Sequence, residues 1–82
     1  MLVRLTGEID SFKRWHPRVM CLDWDSTLRE GAILTMKDRK TRRMIRGERS
    51  TKVIRLFHRG QEVFVLASEF AGRYKEVPTH KR

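Results

Sequence analysis

The sequence predicts a mainly β fold of the α+β class: a small antiparallel sheet, curled or closed into a barrel, with two short helices. Three observations support this prediction. Aromatic and β-branched side chains recur in short runs along the chain, residues 53–66 carry a hairpin signal, and helical spacings of apolar residues cover only short segments. The 82 residues suffice for one small domain with a limited core. We assign this domain to residues 1–77 and expect residues 78–82 to form a flexible basic tail.

The N-terminal segment predicts a strand followed by a helix. Residues 2–5 form an apolar run that indicates a short strand. Ile9, Phe12 and Trp15 recur at three-residue spacing, which is typical of one side of a helix. Pro17 disfavours a helical conformation for the residue before it, so the helix is expected to end there.

The next stretch predicts two further strands separated by a turn. Residues 18–24 are rich in apolar side chains, which indicates a buried strand. Residues 25–27, with the sequence Asp-Ser-Thr, favour a turn that Gly31 closes. Residues 32–36 then predict a third strand.

The clearest local signal is a hairpin. Residues 53–66 contain two β-rich runs that flank a short loop with Gly60, an arrangement typical of paired antiparallel strands. The register of this pair depends on the turn type and stays open. A second short helix is predicted to begin at Ser68, with Phe70 and Tyr74 as an i,i+4 pair.

Residues 35–50 admit two interpretations. As strands, they place residues 38–41 in the turn of a hairpin. As a helix, they begin at the N-cap Thr35, and the fold becomes a winged helix with recognition helix 36–46 and a wing at 51–67. We favour the strands because a helix here would bury only three apolar side chains. The sheet predicts RNA or single-stranded nucleic acid as the ligand, whereas the winged helix predicts duplex DNA.

The net charge of +9 is concentrated in one segment. Residues 37–60 hold ten basic and two acidic side chains, a net charge of +8. Charge of this density predicts a polyanionic ligand, most often nucleic acid, whose phosphates arginine contacts with a planar fork of donors. We therefore predict phosphate contacts, on RNA or DNA, from these basic residues and one histidine: Lys37, Arg39, Lys40, Arg42, Arg43, Arg46, Arg49, Lys52, Arg55, His58 and Arg59.

Aromatic side chains extend this prediction. Trp24, Phe57 and Phe64 are candidates for stacking on unpaired bases, as in proteins that bind single strands. The competing interpretation is that these side chains fill the core. We favour the core, because a small domain needs its large side chains inside.

Several classes of protein and site are disfavoured by composition. Cys21 is the single cysteine, so no intrachain disulfide forms and the reducing cytoplasm is the expected compartment. The cysteine and the three histidines lack the spacing of zinc ligands, and we predict no metal, no cofactor and no catalytic residues. No apolar run reaches 18 residues, so a membrane span is not expected. Residues 1–5 are too short and too quickly polar for a signal peptide.

One segment resembles a phosphatase motif. Residues 19–28, an apolar run followed by Asp23-x-Asp25-x-Thr27, are similar to the first motif of haloacid-dehalogenase-type phosphatases. In that family the first Asp is the nucleophile and the second is an acid or base beside a magnesium ion. The rest of the chain lacks that family's lysine motif and its later acidic pair.

A second segment resembles RelE-type ribonuclease toxins. Residues 53–78 loosely resemble the end of those enzymes, which stabilise phosphate and move protons during RNA cleavage. The chain lacks the long N-terminal helical hairpin of that family. The side chains that would take these roles are Arg55, His58, Arg73, Tyr74 and Lys75.

The function that the sequence favours is that of a small non-enzymatic nucleic-acid-binding protein with a regulatory or accessory role. The principal alternative is an adaptor or inhibitor that docks on the acidic surface of a protein partner. A RelE-like ribonuclease is the third hypothesis. Base preference and oligomeric state are left open.

Overall fold

The protein is a mainly β structure, and the computed structural model describes it over residues 1–78. Within that range, no helix has the length and apolar character that crossing a membrane requires. Of the tail predicted at 78–82, residues 79–82 lie outside the described residues. Eight strands and one helix follow in chain order: β1 (Leu2–Leu5), β2 (Ile9–Arg14), β3 (Leu22–Leu28), β4 (Ile33–Thr35), β5 (Thr41–Arg46), β6 (Arg49–His58), β7 (Gln61–Leu66), α1 (Ala67–Phe70) and β8 (Tyr74–Val77).

The ten-residue strand β6 organises the sheet. The strand order is β3-β2-β7-β6-β4-β1-β8, and every paired strand is antiparallel to its neighbour. On one side, β6 pairs with β7 from Val53 to His58. On its other side, residues 49–54 pair with β5, and Phe57 pairs with Thr35 of β4. One long strand therefore joins the five-stranded part of the sheet to the part formed by β4, β1 and β8.

The sheet is curled and is not closed into a barrel, so the curled form is the correct one of the two predicted. Along the path β5-β6-β7-β2-β3 the two end strands approach each other. Cys21, directly before β3, forms an isolated parallel bridge with Ile45 of β5. The Ile45 N–H donates to the Met20 carbonyl oxygen at 2.7 Å. This curl places one face of the five strands on the inside.

Each face of the sheet buries its own core. The smaller cluster lies on the concave face, since it gathers side chains from all five curled strands: Phe12, Leu22, Met44, Val53, Phe64 and Leu66. The larger cluster lies on the other face and includes side chains from β1, β4 and α1: Val3, Leu5, Ile9, Leu28, Leu34, Met36, Leu56, Val63, Val65 and Phe70. Burial on both faces is what makes the central strands read as continuous apolar runs.

Two short turns fix the registers of the hairpins. The turn between β6 and β7 has Arg59 at φ 55° and Gly60 at φ 81°, as a two-residue type I′ turn requires. The hairpin predicted at 53–66 is confirmed, and its register pairs Arg55 with Phe64. The turn between β5 and β6 has Gly47 at φ 64° in its first position, which matches a type II′ turn.

The helix predicted from Ile9, Phe12 and Trp15 is wrong, because this segment is strand β2. A spacing of three places Ile9 and Phe12 on opposite faces of a strand, since side chains alternate along it. Ile9 packs in the larger core and Phe12 in the smaller one. A strand buried on both faces thus mimics the helical spacing. Trp15 lies beyond the strand and is exposed.

The turn predicted at residues 25–27 is also wrong, because these residues lie inside β3. The register with β2 shifts between Ser11 and Phe12, which pair with Ser26 and Trp24, so Asp25 is accommodated as a bulge. The buried Ser11 hydroxyl lies 3.0 Å from the Ser26 carbonyl oxygen and donates to it. The strand predicted from residue 18 begins only at Leu22.

The strands favoured at 35–50 are observed as β4 and β5, and the winged helix is wrong. The two strands do not form the predicted hairpin with each other, since both pair with β6. Near the C-terminus the helix is a single turn, and its N-cap Leu66 makes no side-chain capping hydrogen bond. Tyr74 belongs to β8, although its ring stacks on Phe70 with centroids 4.2 Å apart.

We expect Phe64→Ala to lower the free energy of unfolding by about 3–5 kcal/mol, because the Phe64 ring is fully buried among the other side chains of the concave core. Urea denaturation measures the loss. Trp24→Ala is the matched control, since Trp24 also neighbours Phe12 in the sheet but is 59% exposed. Equal losses for the two variants would contradict the assignment of the concave core.

Candidate nucleic-acid interface

Five basic residues lie on the hairpin of β5, its turn and the first part of β6, which we call the basic hairpin (residues 41–52). The register places Arg43 directly opposite Lys52 and Arg46 directly opposite Arg49. Side chains in such positions have Cβ atoms about 4.5–5.5 Å apart, and like charges there are destabilising. The fifth basic residue, Arg42, lies opposite Val53.

None of these five side chains is within ion-pairing distance of a carboxylate from residues 1–78. The terminal Nη1 of Arg43 lies 3.5 Å from the Ser50 hydroxyl, which is a neutral acceptor. Glu48, in the turn, is exposed and forms no ion pair with this part of the chain either. The basic hairpin therefore carries two like-charge cross-strand pairs with no internal counter-charge among the described residues.

Two arginines stand at the rim of the concave face. The guanidinium carbon of Arg46 lies 5.5 Å from the ring centroid of Phe12, and that of Arg14 lies 5.5 Å from the ring centroid of Phe64. Arginine stacks on aromatic rings in this way while its outer donors face away from the ring. Arg14 also donates from Nη1 to the Pro17 carbonyl oxygen at 2.9 Å. Arg14 was not among the predicted contacts, because its contact with Phe64 depends on the pairing of β2 with β7.

Arg55 and Arg39 differ from the residues of the basic hairpin, because carboxylates match their charges. Arg55 is half-buried and lies 3.5 Å from a Glu62 oxygen and 3.9 Å from an Asp38 oxygen. Arg39 lies 3.1 Å from a Glu76 oxygen. These two arginines tie the loop at 37–40 to the sheet and to β8. Their charge is partly neutralised before any ligand arrives.

The remaining predicted residues lie elsewhere. The Lys37 ammonium lies 4.6 Å from the ring centroid of Phe57, and Lys40 is exposed. His58 and Arg59 are at the far end of β6, where they line a cavity of about 570 Å³ together with Arg29. A ten-residue strand is roughly 30 Å long, so this end is remote from the turn of the basic hairpin. The basic residues of segment 37–60 therefore lie on separate surfaces of the protein.

The exposure of the aromatic residues divides the candidates for stacking. Phe64 is fully buried and belongs to the core, whereas Trp24 is 59% exposed. Phe57 is half-buried, with cationic groups of Lys37 and Arg55 near its ring. Trp15 is 65% exposed. Trp15 was not a predicted contact, because the predicted helix placed it on a buried face; β2 instead ends at Arg14 and leaves Trp15 exposed.

Carboxylates gather on a different part of the surface. Asp10 Oδ1 accepts hydrogen bonds from Trp24 Nε1 at 3.3 Å and from the Thr27 hydroxyl at 3.4 Å. The Asp10 N–H donates to Glu69 Oε1 at 3.3 Å. Glu8 lines the same small cavity as Asp10 and Glu69. The protein thus has an acidic region around Trp24 as well as the basic hairpin.

The residues of the two enzyme resemblances lie on several strands of the sheet. Asp23 and Asp25 are exposed on β3, and residues 1–78 hold no group of three ligands suited to a metal ion. Among the residues of the ribonuclease resemblance, Arg55 lies on β6 and forms an ion pair, and Tyr74 lies on β8 and packs on Phe70. Strands β4 and β1 lie between β6 and β8. Comparisons of the chain with protein-family models, with curated proteins and with solved structures gave no match.

We expect Lys52→Glu to raise the free energy of unfolding by about 0.2–1 kcal/mol, because it converts a like-charge pair with Arg43 into an opposite-charge pair. The gain should shrink at 1 M salt, where the screening length is only about 3 Å. Urea denaturation at low and high salt measures both effects.

Lys13→Glu is the reciprocal control for this substitution. Lys13 lies opposite Asp23 in the pairing of β2 with β3, so the change creates a like-charge pair and should lower stability by a similar amount. If both variants lose stability, repulsion within the basic hairpin is not a real feature of the free protein.

Proposed function

We propose that this protein is a small nucleic-acid-binding protein that contacts the phosphate backbone through its basic hairpin. The observation that carries the proposal is the pair of like-charge contacts, Arg43 with Lys52 and Arg46 with Arg49, that no carboxylate of residues 1–78 offsets. Repulsion of this kind destabilises the free protein. A polyanionic ligand converts the repulsion into attraction, and the released counterions strengthen binding further.

The two pairs lie on opposite faces of the basic hairpin. Arg43 and Arg46 are three positions apart on β5, so their side chains alternate, Arg46 toward Phe12 on the concave face and Arg43 on the outer face, about 10 Å apart along the strand. The two pairs therefore contact different phosphates instead of converging on one. Arginine contributes a rigid fork of donors at three of the four positions, which favours bidentate contacts with phosphate oxygens.

The rim of the concave face extends the cationic surface beyond the basic hairpin. Arg46 belongs to both regions, because it pairs with Arg49 and also stacks over Phe12. Stacking limits the freedom of the guanidinium, so less side-chain entropy is lost when it binds a phosphate. We further propose that the protein acts in the cytoplasm as a regulatory or accessory factor and carries out no catalysis.

We expect the triple variant Arg43→Gln, Arg49→Gln, Lys52→Gln to lower the salt dependence of oligonucleotide binding. Each lost phosphate contact reduces the slope of log K against log[salt] by about 0.7–0.9, so the three together give a decrease of about 2–3. All three side chains are exposed, so the fold should persist. Fluorescence anisotropy titrations of a labelled oligonucleotide at four salt concentrations measure the slope.

Arg39→Gln is the matched control, since it also removes one charge from residues 37–60 but takes it from an existing ion pair with Glu76. Its slope should stay close to that of the unmodified protein. An unmodified protein that shows no salt-dependent binding to single- or double-stranded DNA or RNA at low ionic strength would defeat the proposal. Recovery of an acidic protein from nuclease-treated lysate would then support the adaptor alternative.

A further inference from the structure

The loop between β2 and β3 brings Trp15 beside the end of the basic hairpin. The Trp15 N–H donates to the Cys21 carbonyl oxygen at 2.9 Å, and Cys21 in turn bridges Ile45 of β5. Trp15 and Ile45 thus stand on either side of Cys21. Two strand spacings separate them, about 10 Å.

Large apolar side chains are exposed together at this point. Trp15 is 65% exposed, Met20 is 50% exposed and Ile45 is 43% exposed. Exposed apolar side chains that lie close together often mark a site of interaction. We call these three residues the apolar knob.

The charges around the apolar knob are basic. Arg43 is two positions before Ile45 on β5 and so shares its face, Lys52 lies directly opposite Arg43, and Arg18 lies in the same loop as Trp15. None of these three residues pairs with a carboxylate from residues 1–78. An apolar surface inside a cationic rim is complementary to a ligand that has flat apolar groups on an anionic backbone. Unpaired nucleotides have this chemistry.

The second exposed tryptophan has the opposite surroundings. Trp24 donates its indole N–H to Asp10, which lines a small cavity together with Glu8 and Glu69. Phosphates are repelled from such a cluster of carboxylates. The two exposed indoles are therefore distinguished by charge, and only the one at Trp15 suits a nucleotide.

We propose that the ligand is single-stranded nucleic acid and that an unpaired base stacks on the indole of Trp15 while the adjoining phosphates lie on the basic hairpin. This inference rests on the proposed function, since the basic hairpin supplies the backbone contacts. In a duplex the bases are stacked on each other and cannot reach the indole, so single strands should bind more tightly than duplexes. Stacking is tolerant of sequence, because every base has a π-face.

Tryptophan emission tests the proposal directly, because the chain has only two tryptophans. Trp24→Phe leaves Trp15 as the sole reporter, and Trp15→Phe leaves Trp24. A single-stranded oligonucleotide should quench the emission of the first variant strongly and that of the second hardly at all. Inorganic polyphosphate, which has charge but no bases, should displace the oligonucleotide without quenching Trp15.

Affinity gives the second measurement. Trp15→Ala should weaken binding of the single-stranded oligonucleotide about 5- to 150-fold, as expected for the loss of one stacked base. It should leave the affinity for polyphosphate unchanged. Trp24→Ala, an equally large truncation of an exposed indole, should leave both affinities unchanged. Equal thermal midpoints of the two variants show that the fold is intact.

The outcomes separate this inference from the function on which it rests. If neither polyphosphate nor any oligonucleotide binds, the proposed function fails. If both bind but Trp15 emission is unchanged and Trp15→Ala binds normally, only the stacking inference fails. If Trp15 emission instead changes with protein concentration alone and sedimentation shows a dimer, the apolar knob is an interface between two copies of the chain, and the inference is overturned.

Discussion

The pairing of β6 on both of its edges is the constraint on which the rest of the structure depends. Its core residues Val53 and Leu56 are fully buried on opposite faces, so the strand holds both clusters of the core together. Because β5 and β4 share one edge of β6, the basic hairpin extends past the part of the sheet that β4 and β1 complete. This extension exposes the outer side of the basic hairpin, and the curl of the sheet brings its end to the loop that carries Trp15.

Charge and stability oppose each other on the basic hairpin. A hairpin selected for stability alone would place opposite charges at its cross-strand positions, and Lys13 with Asp23 in the neighbouring pair of strands shows that arrangement. The basic hairpin instead places cation against cation. Arg55, with a carboxylate on each side, shows that the same strand β6 also carries a neutralised arginine. This difference separates arginines whose charge is neutralised within the fold from those that we propose contact a ligand.

Local sequence chemistry predicted the parts of the fold that local interactions determine. The hairpin at 53–66 follows from its turn residues. The concentration of positive charge at 37–60 follows from the number of basic and acidic residues in that segment. The helix predicted from Ile9 and Phe12 was wrong, because apolar residues in a strand with two buried faces can recur at the same spacing as in a helix. The pairing of β5 with β6 rather than with β4, the stacking of Arg14 on Phe64 and the exposure of Trp15 all depend on contacts distant in sequence. No pattern within the segments concerned contains that information.

The surface that we propose for single-stranded nucleic acid is the basic hairpin together with Trp15. Amide and indole NMR shifts, followed during titration with a short unstructured oligonucleotide, test it at the level of residues. We expect saturable shifts at residues 41–52 and at the indole N–H of Trp15, with little change at Asp10 or at the indole of Trp24. Shifts centred on the cavity beside His58 and Arg59, or on the acidic region around Trp24, would contradict it.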